Sequence, residues 1–179
     1  MRDIALERFE DLFGPEFGHG KAFDRAPLHA ALEALGSPHS HLPPVIHVAG
    51  TNGKGSTIAF MRAICEAAGL RVHAFTKPHL FKLNERFVIA GDTVSDASLT
   101  NAAARVHALA PNLTQFDAQV ASAFVLFHET PADVGVEPPL RTTGSMPSAR
   151  NASAAVARAW ISSSEASPGA VGLRSPWPG

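Results

Sequence analysis

The sequence predicts an α/β fold, a P-loop-type parallel sheet flanked by helices, and three observations carry that prediction. A strand, a glycine-rich turn and a helix follow one another without interruption: Val45-Ile46-His47-Val48, then Ala49-Gly50-Thr51-Asn52-Gly53-Lys54-Gly55-Ser56-Thr57, then apolar positions Ile58, Met61, Ile64 and Cys65 up to Gly69. The apolar run Leu70 to Phe75 comes next, and strand, helix, strand at this spacing reads as a right-handed βαβ unit. Further on, Ala132-Asp133-Val134-Gly135-Val136 reads as the start of a third core strand.

The elements follow in order. Asp3 to Phe13 is an amphipathic helix, with Ile4, Leu6, Phe9, Leu12 and Phe13 on its apolar side, and Gly14 to Gly20 is a loop. Leu28 to Leu35 is a second helix closed by Gly36. Val45 to Val48, behind Pro43 and Pro44, is a short apolar run of the kind that forms a buried parallel strand. The helix after the glycine turn stops at Gly69, a residue suited to a C-cap. Phe87-Val88-Ile89 is apolar and Gly91-Asp92 marks a turn. Ser95 with Asp96 caps a helix to about Ala108, and Pro111 and Asn112 break it. Thr114, with Asp117 three residues on, is a capping box that opens the next helix. Phe116, Val120, Phe124 and Phe127 form the buried face of that helix.

Composition narrows the class. A chain of 179 residues with 45% hydrophobic and 17% charged residues is large enough for one domain with a real core. A net charge of −1 gives no electrostatic case for nucleic acid or an anionic membrane. One cysteine, Cys65, precludes a disulfide framework within the chain, and its place in an apolar helical stripe reads as core. No membrane-length apolar run is present and Asp3, Glu7 and Glu10 do not fit a targeting peptide, so the cytoplasm is the expected compartment. The nine histidines show no metal-ligand spacing.

The glycine turn carries the chemistry. Backbone N–H groups of such a loop and the N-terminus of the helix behind it meet phosphate oxygens, a lysine reaches the outer phosphates, and a hydroxyl binds Mg²⁺. Gly50 to Gly55 would wrap the phosphates of ATP, Lys54 would sit on the β and γ oxygens, and Ser56 or Thr57 would stand near the metal. A Gly/Asn turn with a solvated lysine is the plainer alternative. The spacing is tighter than G-x-x-x-x-G-K-[ST], with Gly55 between the lysine and Ser56.

His47 to Thr57 resembles the signature of the folylpolyglutamate synthase/dihydrofolate synthase family. The related Mur ligases usually carry Thr at the position of Gly55. The resemblance runs from about Leu28 to about Val134. It implies a Mur ligase ATPase-like domain, truncated to its N-terminal part, that uses ATP and Mg²⁺. The implied reaction adds L-glutamate to dihydropteroate or folates through an acyl phosphate. It also implies further substrate-site residues. Thr76-Lys77-Pro78-His79-Leu80 is similar to the family's Thr-Ser-Pro-His-Leu loop, which borders the active site, so Thr76, Pro78 and His79 are candidates. The family's metal-binding serine is Lys77 here, and a protonated lysine cannot ligate Mg²⁺. Glu85 and Arg86 match Asn-Glu-Arg, where a mutual pair fixes the loop; a solvated surface pair is the alternative. Thr114-Gln115-Phe116-Asp117 matches a stretch lining the pterin pocket, with Phe116 either stacking a ring or filling the core. Asp24 to Pro27 falls where a pterin-contacting loop is expected. Glu137 comes one residue before the family's strand-end metal carboxylate, a shift that turns a strand side chain to the other face.

Residues 138–179 differ in character. They contain no Lys or Phe and one acidic residue, Glu165, and are expected to be a largely disordered second region after a domain at residues 1–137, with a short helix at Ala152 to Ile161. Their Arg/Ser/Ala/Pro/Gly mixture is what GC-rich coding yields out of frame, so a frame shift near Val134 to Glu137 is expected. Two functions follow as expectations: an ATP-dependent ligase of folate biosynthesis, in a truncated and inactive form, or a non-catalytic nucleotide-binding remnant. Another Mur-like amide ligase is a third.

Overall fold

The computed structural model describes residues 2–16, 24, 26–48 and 52–137, and the region 138–179 lies outside the described residues. The chain runs α1 (Ile4–Phe13), α2 (Ala26–Ala34), β1 (Val45–His47), α3 (Lys54–Ala67), β2 (Val72–Phe75), β3 (Phe87–Ile89), β4 (Asp92–Thr93), α4 (Asp96–Leu109), α5 (Gln115–Glu129) and β5 (Val134–Glu137). Short 3₁₀ turns, which no periodicity announced, occupy Pro38–His41 and Leu83–Arg86.

The sheet order is β1-β5-β2-β3-β4. The three strands β1, β5 and β2 are parallel, with Val45 and His73 both opposite Gly135. β3 and β4 extend the sheet antiparallel. The sheet is therefore mixed, with a parallel half and an antiparallel half. The two-residue turn at Ala90 and Gly91 is too short for a parallel crossover, which needs a dozen or more residues. β1 and β2 do not touch; β5 enters between them. This leaves β1 at the sheet edge, and its three residues are half-buried instead of buried.

Strand alternation divides the core in two. Val72, Ala74, Val134 and Val136 face α3, where they meet Ile58 and Cys65. His73 and Phe75 face the other side, under α5, with α1, α2 and α4 packed around it. Helix α5 is buried almost all round: Gln115 and every residue from Ala118 to Phe127 are buried. A helix enclosed on all sides belongs in a core's centre, so no single apolar stripe describes it. Phe116, expected on its buried face, is only half-buried.

Helix α3 departs from expectation in the other direction. Ile58 and Cys65 pack on the sheet, and burial pushes the Cys65 thiol up. Ile64, however, is 69% exposed and Phe60 is 70% exposed. With 3.6 residues per turn, Ile64 lies 100° round the helix from Cys65, so only one of the two can face β2.

Capping follows the sequence. Asp3 accepts from the Leu6 N–H at 3.0 Å through Oδ1, and its Oδ2 accepts from the Leu83 N–H at 2.7 Å, tying α1 to the second 3₁₀ turn. Ser95 and Thr114 cap α4 and α5 through the N–H groups of Ser98 and Asp117. His73 is fully buried and stacked on Phe127 at 4.5 Å. Its Nε2–H donates to the Thr130 carbonyl at 2.9 Å, and Nδ1 accepts the Ala90 N–H at 3.1 Å.

Candidate functional site at the carboxyl edge of the sheet

Three parallel strands deliver their carboxyl ends to one edge of the sheet, where open α/β sheets bind ligands. β1 ends at His47 and leads to the glycine turn and the start of α3. β2 ends at Phe75 and leads to Thr76 to Leu80. β5 ends at Glu137, whose backbone pairs with His47.

Within the glycine turn, Gly50 and Thr51 lie outside the described residues. Asn52 and Gly53 are exposed, and Gly53 takes φ +74°, a left-handed conformation suited to glycine, as the N-cap of α3. Lys54 therefore occupies the first helical position, with Gly55 next. A Cβ on Gly55 would meet nothing within 4 Å, so the space beside it is open. The Thr57 hydroxyl donates back to the Gly53 carbonyl at 3.0 Å. Ser56 is exposed on the first turn, and with the Thr57 hydroxyl already engaged it is the better candidate of the two to meet a ligand. A helix N-terminus with a lysine and a hydroxyl in its first turn fits a phosphate and its counter-cation. Among the described residues no group of three or more His, Cys, Asp or Glu is placed to hold a metal ion.

The loop after β2 is locked from two directions. The Glu85 carboxylate accepts the N–H groups of Leu80, Phe81 and Lys82 at 2.8, 3.0 and 2.9 Å. Those backbone donors, Leu80 foremost, hold its carboxyl below the usual range. Arg86 turns inward. Its Nη1 donates to Gln119 Oε1 at 2.6 Å and to Glu16 at 3.2 Å, and its Nε donates to His79 Nδ1 at 3.0 Å. Glu85 and Arg86 thus fix the loop without pairing with each other, because consecutive side chains leave the 3₁₀ turn in different directions. Replacing Glu85 by alanine removes the acceptor of three N–H groups. Amide exchange at Leu80, Phe81 and Lys82 is expected to become several-fold faster while β2 stays protected; unchanged exchange at those three amides would sink the locking role.

Helix α5 begins against the same loop. Lys77 Nζ stands 4.1 Å from the centre of the Phe116 ring, a cation–π distance, and Phe75 lies 6.4 Å from that ring on the protein side. One face of Phe116 is thus taken by an ammonium group. Thr114 and Asp117 are engaged with each other: Thr114 Oγ1 donates to Asp117 Oδ2 at 2.7 Å and accepts the Asp117 N–H at 3.1 Å. Gln115 is 2% exposed and neither amide atom has a partner among the described residues. Asp24 caps α2 by accepting the Ala26 N–H at 2.9 Å.

The structure therefore groups Thr76, Pro78, His79, Glu85 and Arg86 with Thr114, Gln115, Phe116 and Asp117 at one end of the sheet. Sequence reasoning missed Gln119 and Glu16, which hold Arg86. One signal was available: Gln115 and Gln119 stand at i and i+4 inside an otherwise apolar helix, where buried amides need partners.

This is an α/β domain of the Mur ligase-like type, with a glycine turn after one strand and a second loop after the next. No protein-family model matches the chain. The folylpolyglutamate synthase of Lacticaseibacillus casei is 35% identical over 125 residues, covering 65% of this chain and 29% of that protein. Among solved structures, the bifunctional folylpolyglutamate synthase/dihydrofolate synthase of Yersinia pestis, complexed with AMPPNP and Mn ion, superposes with a TM-score of 0.65 at 30% identity. That match covers 77% of this chain and 34% of the other. E. coli FolC in complex with DHPP and ADP gives a TM-score of 0.61 at 28% identity, covering 76% and 33%. The chain is similar to folylpolyglutamate synthases/dihydrofolate synthases and spans about a third or less of the length of these relatives.

Proposed function

We propose that this chain is the nucleotide- and pterin-binding part of an ATP-dependent ligase that adds L-glutamate to dihydropteroate or folates through an acyl phosphate. The observation that carries it is the pairing, at one sheet edge, of the Gly53-Lys54-Gly55-Ser56 helix start with the Thr76 to Leu80 loop and the Phe116 ring. ATP supplies the phosphoryl group that activates the carboxylate, and Mg²⁺ or Mn²⁺ offsets its charge. The chain's own residues position and compensate charge. Lys54 would place an ammonium on the β and γ oxygens, Gly50 to Gly55 would wrap the phosphates, and Ser56 would offer its hydroxyl to the metal, while Thr57, whose N–H and hydroxyl both donate to the Gly53 carbonyl, closes the first turn behind them. Thr114, Gln115, Phe116 and Asp117 line the pterin side. The Y. pestis neighbour with AMPPNP and Mn ion and the FolC neighbour with DHPP and ADP support this assignment. The compartment we assign is the cytoplasm; no described helix is long and apolar enough to cross a membrane.

One observation favours a second reading, nucleotide binding without ligation. Lys77 stands where the family carries a metal-binding serine, and an ammonium cannot coordinate a cation. Two measurements separate the readings. Titration with AMPPNP and Mn²⁺ is expected to give binding in the wild type and about 10- to 100-fold weaker binding in Lys54→Ala, the range for losing a charge-assisted contact. Equal binding by the two proteins overturns both readings. Dihydrofolate formed from ATP, Mg²⁺, dihydropteroate and glutamate, and absent with Lys54→Ala, establishes the ligase.

A further inference from the structure

The interior end of the second ligand loop is built around a buried arginine. The Arg86 side chain is 7% exposed, and its guanidinium reaches Gln119 Oε1 at 2.6 Å, Glu16 at 3.2 Å and His79 Nδ1 at 3.0 Å. A guanidinium has donors and no acceptor. The Arg86 Nε–H can therefore meet His79 only through an unprotonated Nδ1, which places the ring proton of a neutral imidazole on Nε2. The same logic orients Gln119: its oxygen must face Arg86, since a flipped amide would put NH₂ against the guanidinium. Its Nε2, fully buried, is then left without a partner among the described residues. An apolar side chain would fill that position on α5 without an unpaired amide, so the acceptor for Arg86 is what glutamine contributes there.

We propose that Gln119 is a positioning residue that acts through Arg86: by anchoring the guanidinium it holds His79 as the Nε2–H tautomer, so that the loop after β2 presents one hydrogen-bond donor to an acidic or carbonyl group of the ligand at the sheet edge. His79 is half-buried, between the enclosed Arg86 and the fully displayed Leu80 and Phe81. Its Nδ1 is tied to the interior through Arg86, and the residue is only partly covered. Arg86, enclosed by Gln119 and Glu16, touches no ligand in this arrangement and works by fixing the histidine. The inference rests on the proposed function only for the identity of the ligand.

Long-range ¹⁵N–¹H correlation on the labelled full chain reads the tautomer directly, with His79→Gln identifying the signal. The wild type is expected to show a protonated Nε2 and an unprotonated Nδ1. Gln119→Leu is expected to average the two nitrogens and to weaken dihydropteroate binding about tenfold, the loss of one hydrogen bond. Gln119→Glu, which keeps the acceptor, is expected to retain both properties. Should Gln119→Leu fail to fold, Arg86→Lys removes the Nε–H and gives the same readout. A wild-type His79 protonated at Nδ1, or a tautomer unchanged in Gln119→Leu, overturns the proposal. No dihydropteroate binding by a wild type with the Nε2–H pattern overturns the ligand assignment and leaves the positioning role decided by the spectrum.

Discussion

Replacing Phe75 by alanine is expected to destabilise the fold by about 3–5 kcal/mol, the range for emptying a large buried aromatic site. Phe75 is fully buried at the end of β2, with its ring 5.1 Å from Phe87 edge-on and 6.4 Å from Phe116. It thus joins the parallel half of the sheet, the antiparallel hairpin and the start of α5. The neighbours are held by strand hydrogen bonds on one side and helix packing on the other, so the site can collapse only partly. A loss of this size approaches the whole stability of a typical domain. Urea unfolding followed by far-UV circular dichroism measures it, and a loss under about 1 kcal/mol would show that β2 does not hold the two halves together. Phe75→Leu, which keeps most of the volume, is expected to lose less.

Acid is expected to weaken the fold well before its carboxylates protonate. Burial pushes His73, His39 and His47 below the ordinary histidine value; for His73 this outweighs the hydrogen bond to Thr130, which acts the other way. In the unfolded chain these rings take up protons near pH 6.5. The unfolded state then binds more protons than the native one, so stability is fully present above that pH and falls as pH drops towards the depressed native values. For His73, fully buried, the loss grows as pH falls from 7 to 5.5. Protonation there would also aim an Nδ1–H at the Ala90 N–H. His73→Gln keeps a donor for Thr130 and does not titrate, so its stability profile is expected to be flatter over this window. A wild type equally stable at pH 7 and 5.5 would contradict the assignment.

The helices were legible because their ends are written locally. Asp3, Ser95 and Thr114 each place an oxygen where N-terminal N–H groups need one, and left-handed Gly36 and Gly69 mark ends that no other residue takes easily. The strand before the glycines and the helix start at Lys54 were legible for the same reason: strand, glycines, lysine and hydroxyl are contiguous. Strand order was not, since nothing near Val134 says that β5 inserts between β1 and β2; a pairing some sixty residues distant is decided by the packing of the sheet as a whole. Ile64 misled because periodicity alone cannot tell which of two adjacent apolar residues wins the inner face. The Arg86 cluster was only half visible. Asn84-Glu85-Arg86 pointed to a fixed loop, but the partners Gln119 and Glu16 come from elements 33 and 70 residues away.

Helix α3 shows water much the same kind of surface that it shows the sheet, with Phe60 and Ile64 one turn apart on its outer side. A strip of that kind responds to solvent additives before any buried group does. Ammonium sulfate, excluded from protein surface and so favouring its concealment, brings these molecules together at low concentrations. Phenyl-bearing chromatography media retain them by the same rows of carbon.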